Sequence, residues 1–133
     1  MGTRATIALE SNRGEIRQIY CSFNGGLFNP RWDVGPTLLK SWGTRDKVSA
    51  LIELGSIEAL RACLLSTKFH MRDYNEAYDA FATTFADIEG WHKGRSEAFN
   101  YIFRQDDHWY VSFDSHVLLP LDVAISSGFP EYE

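Results

Sequence analysis

Six residues between Ile19 and Gly35 have the chemistry of a recognition site: Asn24, Gly25, Gly26, Arg31, Trp32 and Asp33. Adjacent glycines let a backbone take angles closed to other residues, and let a ligand or another chain come close. Trp32 offers a stacking surface and Arg31 a fork of donors that fits phosphate or carboxylate. An exposed Arg-Trp pair is also typical of binding hot spots. The same residues admit a structural role, with Trp32 packed over a sheet edge and Arg31 paired with Asp33 or a neighbouring acid.

Other reactive side chains are scattered. Asp106-Asp107-His108 combines carboxylates with a base, yet it falls where a hairpin tip is expected, and Asp suits turns. His70, His92, His108 and His116 lie far from one another and from cysteine, so no local zinc pattern exists. Cys21 falls inside a predicted strand, where an inert buried thiol is the simpler expectation. No G-x-S-x-G, H-E-x-x-H, Walker or dinucleotide motif occurs. No catalytic residue, metal ligand or cofactor site is therefore assigned, and an enzyme is the less favoured class.

The elements that must position the first cluster follow from periodicity. Ala5–Glu10 and Glu15–Phe23 form a β-hairpin around Ser11-Asn12-Arg13-Gly14. Helical spacing predicts segments over Asp33–Trp42, from Thr44 to Gly55, and over Ile57–Leu65. Ser66–Arg72 is a loop. Tyr74, Ala77, Tyr78, Phe81, Phe85 and Ile88 fall on one helical face, predicting a helix over Asp73–Gly90. Phe99–Phe113 is a second hairpin. Its aromatic residues share a face only if Phe103 pairs with Trp109, which requires an odd loop of three or five residues. Val117–Leu121 is a short third strand, Asp122–Ser127 a helical turn, and Gly128–Glu133 a loose tail. The expected fold is α+β: an antiparallel sheet built from the N-terminal and C-terminal hairpins, with helices packed on one face.

The 133 residues suit a single domain over 1–133, and the 44% apolar content is ample for its core. The net charge of −5 disfavours direct nucleic-acid binding. No segment is apolar over the length that spans a bilayer, and Met1–Glu10 lacks the apolar region of a signal peptide. A cytoplasmic protein with free thiols at Cys21 and Cys63 is expected.

The motifs Thr3-Arg4-Ala5-Thr6-Ile7, Ile19-Tyr20-Cys21, Gly35 with Leu38-Leu39, Lys47-Val48 with Leu51-Ile52 and Leu54-Gly55, and Trp109-Tyr110-Val111 form a pattern. In this the chain resembles a family of small uncharacterised bacteriophage and prophage proteins. That family continues Ile-Tyr-Cys with His-Trp-Asp-Gly, where this chain has Ser22-Phe23-Asn24-Gly25. A catalytic His/Asp pair there is absent. The resemblance implies a phage-like origin.

Three functions follow as expectations. The first is a phage-type accessory protein that binds and inhibits a host or defence component without catalysis, in the host cytoplasm. The second is a homo-oligomeric protein that binds or sequesters a nucleotide signal. The third is an enzyme whose Asp and His residues meet only in the folded chain.

Overall fold

Two hairpins of the same design carry the sheet. Strand β1 (Ala5–Glu10) pairs antiparallel with β2 (Ile16–Cys21), Ile7 opposite Ile19. Ser11 N–H bonds the Glu15 carbonyl at 2.8 Å and Gly14 N–H bonds the Ser11 carbonyl at 2.9 Å. Gly14 sits at φ +89°, a left-handed angle that glycine takes without strain. The computed structural model describes residues 3–75, 82–94, 97–113 and 118–127. After β2 come α1 (Val34–Ser41), α2 (Arg45–Glu53), α3 (His70–Tyr74), β3 (Thr83–Phe85) and α4 (Ile88–Lys93). The chain closes with β4 (Phe99–Phe103), β5 (Trp109–Phe113), β6 (Leu119–Pro120) and α5 (Leu121–Ser127).

In the second hairpin Phe103 pairs with Trp109 across a connection of five residues, 104–108, as the shared aromatic face required. Asp107 takes the left-handed position at φ 62°, and its N–H bonds the Arg104 carbonyl at 2.9 Å. The strand order is β3-β2-β1-β4-β5-β6. The fold is α+β and the sheet is mostly antiparallel. The two hairpins meet through a parallel β1–β4 pair, with Ile7 opposite Tyr101, so both hairpin tips lie at one end of the sheet.

That end is tied by charge. Arg45, the first residue of α2, donates to the Glu10 and Arg104 carbonyls, each at 2.8 Å, and to Asp107 Oδ1 at 2.9 Å. Its guanidinium also lies over the Phe103 ring. Glu10, almost fully buried, pairs with Arg104 at 3.0 Å and holds that guanidinium above its ordinary pKa.

The sheet is covered on both sides. Ala5, Ile7, Ile19, Cys21, Tyr101, Phe103, Trp109 and Val111 face α1, α2 and α5 and form the larger core with Val34, Leu38, Val48, Leu51, Ile52, Leu121 and Ala124. On the opposite face Trp91 of α4 packs with Ala8, Ile16 and Ile102. Helices packed on one face alone is therefore an expectation that α4 corrects. Period two explains this: odd positions of β1 feed the first core, while Ala8 and Ile16 leave an apolar patch behind it. The Trp91 indole N–H bonds Gln18 Oε1 at 2.9 Å, so the ring is buried with its polar edge satisfied.

Two predicted helices do not run through their expected ranges among the described residues. The helix over Asp73–Gly90 stops at Asn75, whose left-handed φ of 56° caps α3. Thr83-Thr84-Phe85, rich in strand formers, instead pairs with the open edge of β2. Asp87 then starts α4 by accepting the Gly90 N–H at 2.8 Å. Ala77, Tyr78 and Phe81 of the predicted stripe lie outside the described residues, as do Val117 and the tail 128–133. The segment Ile57–Leu65 is not helical either. Ser56 turns its hydroxyl to the Tyr20 N–H, and Ile57 bridges Cys21 and Phe69, extending the sheet rather than opening a helix. The helix after Thr44 ends as expected at Gly55, at φ +89°.

Tyr101, fully buried, points its hydroxyl at the Gly25 and Gly26 carbonyls, at 2.7 and 2.8 Å. Replacing Tyr101→Phe leaves these carbonyls without that donor and should lower the unfolding free energy by about 1–3 kcal/mol, read by urea denaturation. A loss below about 0.5 kcal/mol, the level of a typical surface change, would remove the hydroxyl from this role.

Candidate functional site

The corner from Asn24 to Asp33 is built by its own backbone. Asn24, not a glycine, takes the left-handed angle, at φ 60°, and its carbonyl accepts the Val34 N–H at 2.8 Å. The glycines serve close approach instead. A Cβ on Gly25 would lie 2.8 Å from both Ala5 Cβ and the Thr3 carbonyl. The Gly25 N–H already bonds that carbonyl at 2.8 Å, so the corner is pinned to the start of β1.

Asp33 occupies the N-cap position of α1 but does not cap it. Its carboxylate reaches back and accepts the Phe28 and Asn29 N–H groups at 3.2 and 3.0 Å. A Cβ on Gly26 would meet that carboxylate at 3.0 Å. Asn29 accepts the Arg31 N–H on its side chain and the Asp33 N–H on its carbonyl, so Asn29-Pro30-Arg31-Trp32 is a closed turn. At its tip Trp32 is 46% exposed, and Arg31 beside it is exposed too. Of the six candidate residues, Asn24, Gly25, Gly26 and Asp33 are thus the scaffold, while Arg31 and Trp32 are what it presents.

The hairpin tip Asp106-Asp107-His108 is engaged in structure. Asp106 accepts from the Tyr110 hydroxyl and from the His108 N–H, and the former bond holds its carboxyl below the usual range. Asp107 pairs with Arg45. No group of three or more His, Cys, Asp or Glu residues could hold a metal ion among the described residues. Among them, too, no helix is long and apolar enough to cross a membrane.

Two features escaped the sequence. Ser22 Oγ lies 3.3 Å from His70 Nε2, joining the end of β2 to the first residue of α3. Nothing in the spacing of residues 22 and 70 signals that contact. The second is a groove of about 470 Å³ between α2 and the segment after Leu60, lined by Trp42, Ala50, Ala62, Leu64 and Leu65, with Asp46, Lys47 and Cys63 also on its wall. Its signal is the Leu64-Leu65 pair, which the helix expected over Ile57–Leu65 took in at its end.

No family model, curated protein or solved structure matches this chain.

The two thiols differ in environment. Cys21 is buried, and burial pushes its thiol up to about 12. Cys63 is exposed, and the Ser66 hydroxyl 3.2 Å away lowers its pKa. A disulfide reagent at neutral pH should therefore titrate one thiol per chain promptly and the second only on unfolding, with Cys63→Ser abolishing the prompt phase. Two prompt thiols in the native protein would contradict the burial of Cys21.

Proposed function

We propose that the chain is a non-enzymatic accessory protein that binds and inhibits a host or defence protein, with Arg31 and Trp32 as its anchors. The observation that carries this is the exposure of Trp32 beside Arg31 on a turn whose backbone is already hydrogen-bonded. A turn whose backbone is already fixed leaves less chain to order on binding, and Trp and Arg are the residue types enriched among binding anchors. The net charge of −5 suits a basic surface on the partner, such as a nucleic-acid site with which this chain would compete. The phage or prophage setting and the host cytoplasm rest on the resemblance of Thr3–Ile7, Ile19–Cys21 and Trp109–Val111.

A nucleotide-binding role stands second. Asp33 already takes the Phe28 and Asn29 N–H groups, so a phosphate would depend on the Arg31 side chain, with Trp32 stacking on the base.

Trp32→Ala should weaken capture of the partner from host lysate by roughly 30-fold or more, and Arg31→Ala by a similar amount, the size expected of hot-spot truncations. The melting temperature of both variants should stay at the wild-type value. Equal capture by wild type and variants would refute the role of the corner. Stabilisation of the wild type, but not of Trp32→Ala, by millimolar nucleotide would favour the second role.

A further inference from the structure

The groove beside α2 carries both halves of an interface on one patch. Its wall is a short, tightly bonded segment. Thr67, fully buried, donates its hydroxyl to the Cys63 carbonyl at 2.9 Å and accepts the Arg61 N–H at 3.0 Å. The Ser66 hydroxyl bonds the same Cys63 carbonyl at 3.3 Å, and Arg72 holds the Thr67 carbonyl at 2.7 Å. The Trp42 indole N–H fixes the Arg61 carbonyl at 2.8 Å. From this braced turn Leu65 projects with 88% of its surface exposed, more than any other large hydrophobic residue described. Burying a leucine is worth about 1.5–3 kcal/mol, which a surface that covers this turn would gain.

We propose that this face is a homodimer interface, in which Leu65 of each copy enters the groove of the other across a two-fold axis. A projection and a recess side by side on one patch are self-complementary, as an isologous contact requires. The charges on the rim are self-complementary as well. Asp46 and Lys47 are adjacent, exposed and opposite in sign, and neither pairs with a charged group among the described residues. Across a two-fold axis Asp46 of one copy meets Lys47 of the other, twice, which offsets the repulsion between two chains of net charge −5. Arg31 and Trp32 are not among the residues that line the groove.

Analytical ultracentrifugation from low micromolar to submillimolar protein tests this. The wild type should pass from monomer to dimer over that range. Leu65→Asp changes a side chain almost wholly in water, so it should keep its melting temperature and weaken association at least ~tenfold, as loss of a central anchor does. Asp46→Lys should also weaken the dimer, and the exchange Asp46→Lys with Lys47→Asp should restore it. Cys63 supplies an internal footprint: its alkylation should slow as the wild-type concentration rises, while that of Leu65→Asp should not. A monomer at every concentration overturns the proposal. So does a dimer indifferent to Leu65→Asp, or one that leaves Cys63 alkylation unchanged.

Discussion

Thr6 and Asn100 are 94 residues apart in the chain, yet their side chains share a buried hydrogen bond of 2.8 Å because β1 and β4 run side by side in the same direction. Each hairpin can form locally, since its turn closes through two backbone bonds of its own. Neither can bury both faces alone. Joining them in parallel places Ile7 beside Tyr101 and Ala8 beside Ile102, completing one core on each side of the sheet. The same pairing brings both tips to one end, where Arg45 reaches both and Glu10 meets Arg104. A parallel pair cannot be closed by a tight turn. The long intervening segment is therefore a requirement of the topology, and α1 to α4 lie in it.

The two faces of the sheet are held by different forces. The α1–α2–α5 side is apolar and gains its stability from burial. The other side mixes Ala8, Ile16 and Ile102 with Thr6, Gln18, Asn100, Ser112 and Glu10, all buried. Among the described residues no buried side-chain N or O atom lacks a hydrogen-bond partner. A polar group buried without a partner costs as much as several methylenes gain, so these pairs fix the register rather than merely tolerating burial. Sliding β4 by one residue against β1 would separate Thr6 from Asn100 and turn Tyr101 away from the glycine carbonyls at once.

The hairpins, α1, α2 and their glycine stops were legible because they rest on local rules: alternation, caps and turn residues. The Phe103–Trp109 register was legible because six aromatic or β-branched residues had to share one face. The helix over 73–90 was misread for the same reason that made it attractive. A spacing of three and four among aromatic residues also arises when two short elements lie end to end, and the edge of β2 competes for Thr83–Phe85. The helix expected from Ile57 shows the same override, since Ser56 and Ile57 bond to Tyr20 and bridge to Cys21 instead. The parallel pairing was beyond any local signal. So was α4 on the second face, because only Trp91 and Ile88 mark it.

At the candidate site the sequence grouped two kinds of residue in one segment. A backbone cradle for an anion needs N–H groups turned outward and unsatisfied. Here the Gly25 N–H goes to Thr3, and the Phe28 and Asn29 N–H groups go to the Asp33 carboxylate. A phosphate approaching those N–H groups would meet that carboxylate, and like charge would repel it. The corner consequently turns side chains rather than free backbone donors outward. Its two outward side chains, an indole and a guanidinium, combine a flat apolar surface with a planar donor fork. Such a pair needs a partner that offers a pocket beside an acceptor, which a protein surface supplies more readily than a small anion. The acid that takes the Phe28 and Asn29 N–H groups is also what closes the turn, so one residue, Asp33, both satisfies the backbone of the corner and fixes the turn that presents Arg31 and Trp32.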